Sequence, residues 1–369
     1  MAGLADRARQ EGISTVVVDA VLGNVRQSER VLELDRSQPE FASTFAGYYP
    51  ARVSDQRVKK GRALLRQHEQ LLVSIQADTG VPPHYVLAFW GLETNYGSYL
   101  GDHNVPDALA TLACDSRRGS YFSGELMQAL RLIERGDVAA KDMRGSWAGA
   151  MGNVQFMPTN YVKHAVDADG DGRRDLWGST ADALASAGRF LKSLGWKPGL
   201  RWGREVFLPE DFDLSLIGQK QPLRFWAARD VRNAAGAVLP ALDETARILL
   251  PSGHRGPAFI AYDNFDVIMG WNRSEHYALT VGRLADRIAG GGRLARAIPQ
   301  GPKRFSLDAV RLMQEQLTSL GYDLGEPDGR FGPATRKALA QFQADTALRA
   351  DGYPSSETQA ALSRRAGQG

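Results

Sequence analysis

One glutamate stands where a helix could present an acid to a cleft. Glu93 follows three apolar residues on one helical face, at steps of seven, four and three positions: Val86, Phe89 and Trp90. Burial among such side chains favours the neutral acid and raises its pKa, as a proton donor at neutral pH requires. The alternative is that Glu93 is a surface residue near the end of a helix, because Asn95 follows two positions later and asparagine is one of the residues that end helices.

A second segment, Ser146–Pro158, combines small residues with one amide side chain. The small residues at 148–150 and 152 would let the backbone approach a ligand or a facing helix closely. Gln155 offers a donor and an acceptor together, which suits a sugar hydroxyl or an acetamido group. The alternative is a tightly packed turn without a ligand, which the glycines alone do not exclude.

Both segments resemble motifs of the B-type lytic murein transglycosylases, the glycoside hydrolase 103 group. The matching residues are Gly91-Leu-Glu-Thr-Asn-Tyr-Gly97 and Gly149-Ala-Met-Gly-x-x-Gln-Phe-Met-Pro158. Shorter matches are Gln38-Pro-Glu-Phe41, Val53-Ser54, Asn264-Phe265 and Trp271-Asn-x-Ser274. The resemblance extends over about residues 10–290 and implies a lysozyme-like catalytic domain.

The resemblance implies a role for each matching position. It implies that Glu93 is the catalytic acid, with Ser146 and Gln155 as polar residues beside it. It further implies that seven side chains line the sugar sites: Tyr48, Arg117, Arg118, Tyr121, Phe190, Phe265 and Trp271. The last three stand where tyrosines are common in the family, so sugar stacking would survive but a phenol hydrogen bond would not. The alternative for each aromatic residue is ordinary core packing.

A single carboxylate is compatible with cleavage that uses no water. Hydrolytic glycosidases usually need two carboxylates, but neither motif contains a second acid. Glu134 and Asp137 lie between the two motifs in sequence, and no local pattern indicates that they are buried. The resemblance implies that the C6 hydroxyl of N-acetylmuramic acid replaces water and closes a 1,6-anhydro ring. Glu93 would act as general acid and then as base, without a cofactor. The alternatives are a hydrolytic muramidase and a non-catalytic murein-binding scaffold.

The stretch 167–182 has an EF-hand-like spacing of oxygen donors. Asp167, Asp169 and Asp171 occupy positions one, three and five. Arg173 occupies position seven, where a main-chain carbonyl coordinates in such loops. Position twelve is a glycine instead of the usual bidentate glutamate, so Asp182 would have to complete the shell. We expect a structural calcium ion here, without a role in the chemistry. The alternative is an acidic turn solvated by water.

Composition excludes several other classes of protein. The 369 residues carry 45 basic and 42 acidic side chains, a near balance that does not indicate a nucleic-acid binder. Cys114 is the single cysteine, so an intramolecular disulfide and a thiolate metal cluster are excluded. The six histidines never have the H-x-x-x-H spacing of zinc hydrolases. No apolar run reaches the roughly 18 residues that span a bilayer.

The elements that must position these residues are mostly helices. Apolar steps of three and four residues predict helices up to about residue 200, including Val16–Val31 and Val58–Ala77. Val81-Pro82-Pro83 is predicted to open the helix that carries Glu93. Residues of about 201–265 form a β insertion, with a hairpin made by 244–251 and 257–262. We therefore predict a mainly α (α+β), lysozyme-like catalytic domain over residues 1–297. We find no internal repeat.

A separate C-terminal domain is predicted beyond a linker at 298–305, where prolines and a glycine interrupt regular structure. Residues 306–369 have the pattern of three helices. Their segment Asp328-Gly-Arg-Phe-Gly-Pro-Ala-Thr335 resembles the signature of the peptidoglycan-binding-1 domain. The alternative is a generic three-helix bundle. This domain contains no histidine, so a zinc site is not expected there.

Partners and location follow from the resemblance. It implies peptidoglycan glycan strands as the substrate, other cell-wall enzymes as further partners, and a monomeric chain. It also implies a periplasmic location. Met1–Asp6 lacks the apolar core of a signal peptide, which indicates either a cytoplasmic protein or a mature form whose signal or lipid-anchor segment lies outside the printed sequence.

Overall fold

The computed structural model describes residues 1–37 and 43–367, so the predicted motif Gln38–Phe41 lies outside the described residues. Most of the described chain is helical. The α-helices are α1 (Ala2–Gln10), α2 (Thr15–Leu22), α3 (Glu29–Ser37), α4 (Phe45–Arg52), α5 (Asp55–Gln67), α6 (Glu69–Thr79), α7 (Pro83–Thr94), α8 (Val105–Ala113), α9 (Gly119–Glu134), α10 (Pro158–His164), α11 (Thr180–Ser193), α12 (Leu223–Ala227), α13 (Asp263–Trp271), α14 (Glu275–Ile288), α15 (Leu307–Ser319), α16 (Pro333–Asp345) and α17 (Ser356–Ala366). The strands are β1 (His103–Asn104), β2 (Arg144–Gly145), β3 (Gly203–Phe207), β4 (Gln221–Pro222), β5 (Arg232–Asn233), β6 (Thr245–Leu249) and β7 (Ala258–Ala261).

The predicted helices are present, but two of them are interrupted. The segment Val16–Val31 spans α2 and part of α3, because α2 ends at Gly23. The segment Val58–Ala77 is divided at His68 between α5 and α6. Periodicity alone misses such breaks, because an apolar face can continue from one short helix into the next.

The first of two compact units contains residues 1–37, Asp55–Pro198 and Leu284–Ala289. Helix α7 is central to this unit and packs against α5, α6 and α11. Its residues from Tyr85 to Gly91 are all buried, so it is apolar around its whole circumference rather than on one face. Glu93 lies on the last turn of this buried helix, where the chain returns to the surface.

The second unit contains residues 43–54, Gly199–Arg283 and 290–367. Its antiparallel sheet has the strand order β4-β6-β7-β3-β5. The predicted hairpin is present as β6 and β7, with Ile248 opposite Ile260. Trp226 and Ile248 are among the fully buried residues of the core on this sheet. The small β insertion expected from the sequence is therefore part of a separate compact unit.

The predicted linker, 298–305, contains no helix or strand, yet it is fixed by hydrogen bonds. The hydroxyl of Thr44 donates to the carbonyl oxygen of Pro302 at 2.7 Å, and the N–H of Thr44 donates to Lys303. Ser43 and Arg304 form an isolated β-bridge. This segment therefore lies against the start of α4 over several residues.

The C-terminal residues form the predicted three-helix arrangement of α15, α16 and α17. Leu317, Leu339 and Phe342 are fully enclosed in its core. No helix among the described residues has both the length and the apolar character that crossing a bilayer requires.

A short structural repeat lies within these three helices, which the sequence analysis did not find. The amide of Gln314 donates to Asp328 at 3.0 Å and to the hydroxyl of Thr335 at 2.9 Å, while its oxygen accepts the N–H of Gly329. The same arrangement recurs around a second glutamine, with the partners Asp351, Gly352 and Thr358 of Gln343. The repeat was missed because the two glutamines stand at different distances from their Asp-Gly turns.

Candidate active site

Glu93 is half-buried on the final turn of α7. The helix starts at Pro83, as predicted, and it ends because Asn95 adopts the left-handed conformation with φ 51°. Tyr96 and Gly97 are also left-handed, so the chain reverses sharply directly after Glu93 and Thr94. Left-handed conformations of residues other than glycine are uncommon and persist where surrounding contacts impose them.

Helix α5 provides part of that support. Arg57 and Lys60 donate hydrogen bonds to the side-chain and main-chain oxygens of Asn95, at 3.3 and 3.1 Å. The hydroxyl of Tyr96 donates to the main-chain oxygen of Arg57 at 3.0 Å. Burial raises the pKa of Tyr96 well above its ordinary value, so it remains a neutral donor. The turn after Glu93 is therefore fixed to a neighbouring helix.

The segment 146–158 forms a compact loop against α7 and α8. Isolated bridges join Gly145 to Met151 and Met151 to Phe156. A Cβ atom at Gly149 would lie 2.4 Å from Leu109, and one at Gly152 would lie 2.7 Å from the carbonyl oxygen of Leu176. These glycines thus allow close packing between protein segments, as in the packed-turn interpretation.

The two predicted polar residues of this loop make hydrogen bonds within it. The hydroxyl of Ser146 accepts the N–H of Ala150 at 3.1 Å. Gln155 is left-handed, with φ 49°, and its amide donates to the carbonyl oxygens of Leu100 and Gly152 at 3.1 and 3.0 Å. Both side chains are therefore oriented by the backbone around them, and their contacts with substrate remain predictions.

The two predicted arginines converge on one buried aspartate. Arg117 and Arg118 both donate to the carboxylate of Asp35, and Arg117 also donates to its carbonyl oxygen at 2.7 Å. Burial alone would raise the pKa of Asp35, but the hydrogen bonds and charges of the two arginines outweigh it and hold this pKa below its usual value. The two arginine side chains are about one-third exposed, so each also faces solvent.

The predicted aromatic residues of the first unit differ in exposure. Tyr121 is 49 % exposed, which leaves its ring accessible to a ligand. Phe190 is buried, and its ring centroid lies 5.3 Å from that of Phe156 and 4.9 Å from that of His164. Its packing is that of a core residue, and its contact with sugar stays a prediction.

Three predicted substrate residues belong to the second unit. Tyr48 is buried, with the guanidinium of Arg52 stacked 3.7 Å from its ring centroid. Phe265 is only 1 % exposed and packs near Trp202. Trp271, the last residue of α13, is partly exposed. Of the three residues, Trp271 is the most exposed, and roles for all three remain predictions.

The acidic loop brings three of its predicted ligands together. Oxygen atoms of Asp167, Asp169 and Asp182 all lie within 4.8 Å of one another. Their carboxylates also accept hydrogen bonds from the loop, including that of the Ser179 hydroxyl at 2.6 Å, which lowers the pKa of Asp169. Three close carboxylates suit Ca²⁺, which prefers oxygen ligands. The carboxylate of Asp171 accepts the N–H of Arg173 at 2.8 Å, and both residues remain predicted ligands.

Sequence analysis missed two buried polar residues of this unit. Glu125 accepts the N–H of Thr159 at 2.9 Å, at the first turn of α10. Glu125 follows Phe122 by three positions and precedes Ala129 by four, so all three lie on one face of α9. This spacing would have predicted that Glu125 is buried. Asn153 contacts α7 and the end of the acidic loop, but it falls on a variable position of the motif, so no local signal marked it.

The fold and the site define a lysozyme-like transglycosylase domain followed by a helical peptidoglycan-binding domain. The transglycosylase SLT domain family matches residues 1–286, and the peptidoglycan binding domain family matches residues 306–362. The chain therefore belongs to the transglycosylase SLT domain family.

Individual relatives agree with this assignment. SltB3 from Pseudomonas aeruginosa, solved in complex with NAG-anhNAM-pentapeptide and with NAG-NAM-pentapeptide, is 42% identical, with a TM-score of 0.93 and coverage of 98% of both chains. Membrane-bound lytic murein transglycosylase B of Escherichia coli (strain K12) is 29% identical over an alignment of 296 residues that covers 76% of this chain and 80% of that protein. The Escherichia coli lytic transglycosylase Slt35, solved in complex with calcium, is 29% identical, with a TM-score of 0.68 and coverage of 78% of this chain and 92% of that chain.

Proposed function

We propose that Glu93 is the one side chain that transfers protons while this peptidoglycan lytic transglycosylase cleaves its substrate. The enzyme cleaves glycan strands and leaves 1,6-anhydro-N-acetylmuramic acid ends. The observation that carries the role of Glu93 is its position at the end of a buried helix, between two residues that are fixed by hydrogen bonds, Trp90 and Thr94. These bonds fix the helix backbone that carries Glu93, so less freedom of that backbone is lost when the substrate binds.

The proposed step needs one carboxyl group only. Protonated Glu93 donates its proton to the glycosidic oxygen between N-acetylmuramic acid and N-acetylglucosamine as the C1–O bond breaks. The resulting carboxylate accepts the proton of the muramic acid C6 hydroxyl, whose oxygen then bonds to C1. This proton restores the acid, so no water is consumed and no second carboxylate is required.

The remaining predicted residues would bind and orient the strand. Arg117 and Arg118 offer cationic donors for carboxylate groups of the substrate. Tyr121 offers an exposed aromatic ring for sugar stacking. Ser146 and Gln155 would contribute polar contacts near Glu93, and the other predicted contacts are those of Tyr48, Phe190, Phe265 and Trp271.

The acidic loop would hold a structural calcium ion. Asp167, Asp169 and Asp182 would be its carboxylate ligands, and they come from both ends of the loop. When bound, the ion would join these ends and stabilise the loop, and it would supply no chemistry to the cleavage. The calcium complex of Slt35 supports this proposal.

The three C-terminal helices would bind peptidoglycan separately from the cleavage site. A second attachment point raises the effective concentration of the strand at the first. We retain the division into residues 1–297, 298–305 and 306–369 as a proposal about modules, supported by the two family matches. The periplasm is the proposed location because the substrate lies there, and other cell-wall enzymes are proposed partners.

The test of this proposal is turnover by Glu93→Gln. Glutamine keeps the size of the side chain and removes the titratable proton, so we expect turnover of sacculi to fall by about 10²–10⁴-fold or more. Binding of sacculi and the circular dichroism spectrum should be retained. Glu205→Gln is the control, because Glu205 is a buried glutamate without a proposed role in cleavage, and its carboxylate accepts main-chain N–H groups of Ala295 and Arg296. Substantial turnover by Glu93→Gln would assign the acid role to another residue.

A further inference from the structure

We propose that Asn153 is a positioning residue for Glu93, an inference that rests on the catalytic role proposed above. The side chain of Asn153 lies in the first unit and is part of a residue only 5 % exposed. Its amide oxygen, its amide nitrogen and both of its main-chain polar groups make hydrogen bonds. A buried amide that uses all these groups has a single well-defined orientation.

On one side, Asn153 holds the last turn of α7. Its side-chain oxygen accepts the indole N–H of Trp90 at 2.9 Å, and its main-chain oxygen accepts the hydroxyl of Thr94 at 2.8 Å. Trp90 lies three residues before Glu93 and Thr94 follows it directly, so the two bonds bracket the proposed acid. Helix ends fray easily, and these bonds oppose fraying at the turn where the carboxyl group must be placed.

On the other side, Asn153 is hydrogen-bonded to the second half of the acidic loop, 167–182. Its amide nitrogen donates to the carbonyl oxygens of Leu176 and Trp177 at 3.1 and 2.9 Å, and its main-chain N–H donates to Leu176 at 2.8 Å. The following main-chain groups are fixed in turn, because the N–H of Trp177 donates to the carboxylate of Asp175 at 2.9 Å. Asn153 therefore anchors α7 to an ordered segment and not to a free loop.

The turn after Glu93 is shaped to accept this amide. A Cβ atom at Gly97 would lie 2.6 Å from the side-chain oxygen of Asn153, so only glycine leaves it room. The N–H of Gly97 donates to the hydroxyl of Thr94 at 3.0 Å, and that hydroxyl also binds Asn153. The left-handed turn, Thr94 and Asn153 thus form one continuous network around the end of α7.

This network acts on Glu93 through the backbone, without touching the substrate. Loosening it would displace the carboxyl group relative to the glycosidic oxygen, and a displacement of about 1 Å can lower a rate by about 100-fold. Substrate affinity depends on other side chains and should change little. The effect should therefore fall on kcat rather than on KM.

Asn153→Asp is the direct test. Aspartate keeps the size of the side chain and the oxygen that accepts the indole N–H of Trp90. It replaces the amide nitrogen by an oxygen, which would face the carbonyl oxygens of Leu176 and Trp177 without a proton to donate. We expect kcat on a soluble muropeptide to fall by about 10- to 100-fold, with KM changed by less than about threefold. The indole N–H resonance of Trp90, assigned with Trp90→Phe, should also move.

A second set of variants decides the matter if Asn153→Asp does not fold. Thr94→Val removes one hydroxyl with little change in shape, so kcat should fall, and Thr94→Ser should restore it. Thr111→Val is the matched control, because the buried Thr111 hydroxyl likewise accepts an N–H, that of Ser28, and donates to a carbonyl oxygen, that of Asp107. This variant should lose stability without losing kcat.

The outcomes separate this inference from the proposed function. If Glu93→Gln is inactive while Asn153→Asp and Thr94→Val keep the wild-type kcat, Asn153 does not position the acid and the proposed function stands. The inference also fails if Thr111→Val lowers kcat as much as Thr94→Val does. If Glu93→Gln itself turns over substrate, the proposed function fails irrespective of Asn153.

Discussion

The carboxylate of Asp351 lies 2.6 Å from Nδ1 of His254 and also accepts the main-chain N–H of His254 at 2.8 Å. Asp351 belongs to the second copy of the structural repeat in the C-terminal helices, the one around Gln343. His254 lies in the loop between β6 and β7. An ion pair of Arg255 with Glu357 at 3.0 Å lies beside this contact. One copy of the repeated arrangement therefore binds a loop of the sheet, while Asp328 of the other copy is exposed.

Replacing His254 should loosen this attachment. In His254→Ala the carboxylate of Asp351 keeps its bonds to Gln343 and Tyr353, so the three helices should stay folded. We expect faster hydrogen–deuterium exchange in residues 351–358, because the main-chain groups there open more often. Arg349→Ala, which removes one exposed hydrogen bond to Glu210, is the control and should change exchange little. Equal exchange in His254→Ala and the wild type would contradict the attachment.

The contribution of Asp35 to stability should depend on pH with a defined sign. Its pKa is lower in the folded protein than the ordinary value of 3.8, so its carboxylate stabilises the fold above that value. This stabilisation is lost as the pH falls through the lower, folded pKa. Urea unfolding of the wild type and of Asp35→Asn should therefore differ at neutral pH, and the difference should shrink as the pH falls below 3.8. A difference that is independent of pH would show that the charge of Asp35 is not responsible.

The same substitution should weaken substrate binding. Without the Asp35 carboxylate, Arg117 and Arg118 lose the partner that orients them, and ordering two long side chains opposes binding. We expect KM for muropeptides to rise several-fold while kcat stays close to that of the wild type. A fall in kcat with unchanged KM would instead place Asp35 with the groups that act on Glu93.

Calcium should raise the melting temperature and a chelator should lower it. A bound ion stabilises the folded state only, in proportion to its occupancy. Asp169→Ala removes one of three converging carboxylates and should abolish the difference. Asp78→Ala is the control, because it removes an exposed carboxylate outside the loop, whose ion pair is with Lys192, and should preserve the difference. If the melting curves with millimolar calcium and with chelator coincide, the loop does not bind calcium and is only an acidic turn.

Much of the fold could be predicted because its signals are local. Pro83 opens α7 and the glycine-containing loop closes the β6–β7 hairpin, and each depends on a few neighbouring residues. The breaks at Gly23 and His68 could not be read from periodicity. The grouping of the C-terminal helices with the sheet could not be predicted either, since contacts such as His254–Asp351 join residues far apart in sequence.

Site residues that belong to a continuous sequence motif could be predicted, whereas residues placed by long-range contacts could not. Glu93 and the acidic loop stand in continuous segments with recognisable spacing. Asp35 meets Arg117 and Arg118 across more than 80 residues, and Asn153 meets Trp90 across 63 residues. Such partners are selected by the tertiary fold, which composition and spacing do not reveal.

The most direct test of the central claim is mass spectrometry of sacculi digested in isotopically labelled water. If Glu93 alone transfers protons and the C6 hydroxyl is the nucleophile, the new muramic acid ends are anhydro ends that lack one water and carry no label. Glu93→Gln should produce almost none of them. Reducing ends that carry one labelled oxygen would show that water attacks C1, and would contradict the account of a single carboxylate.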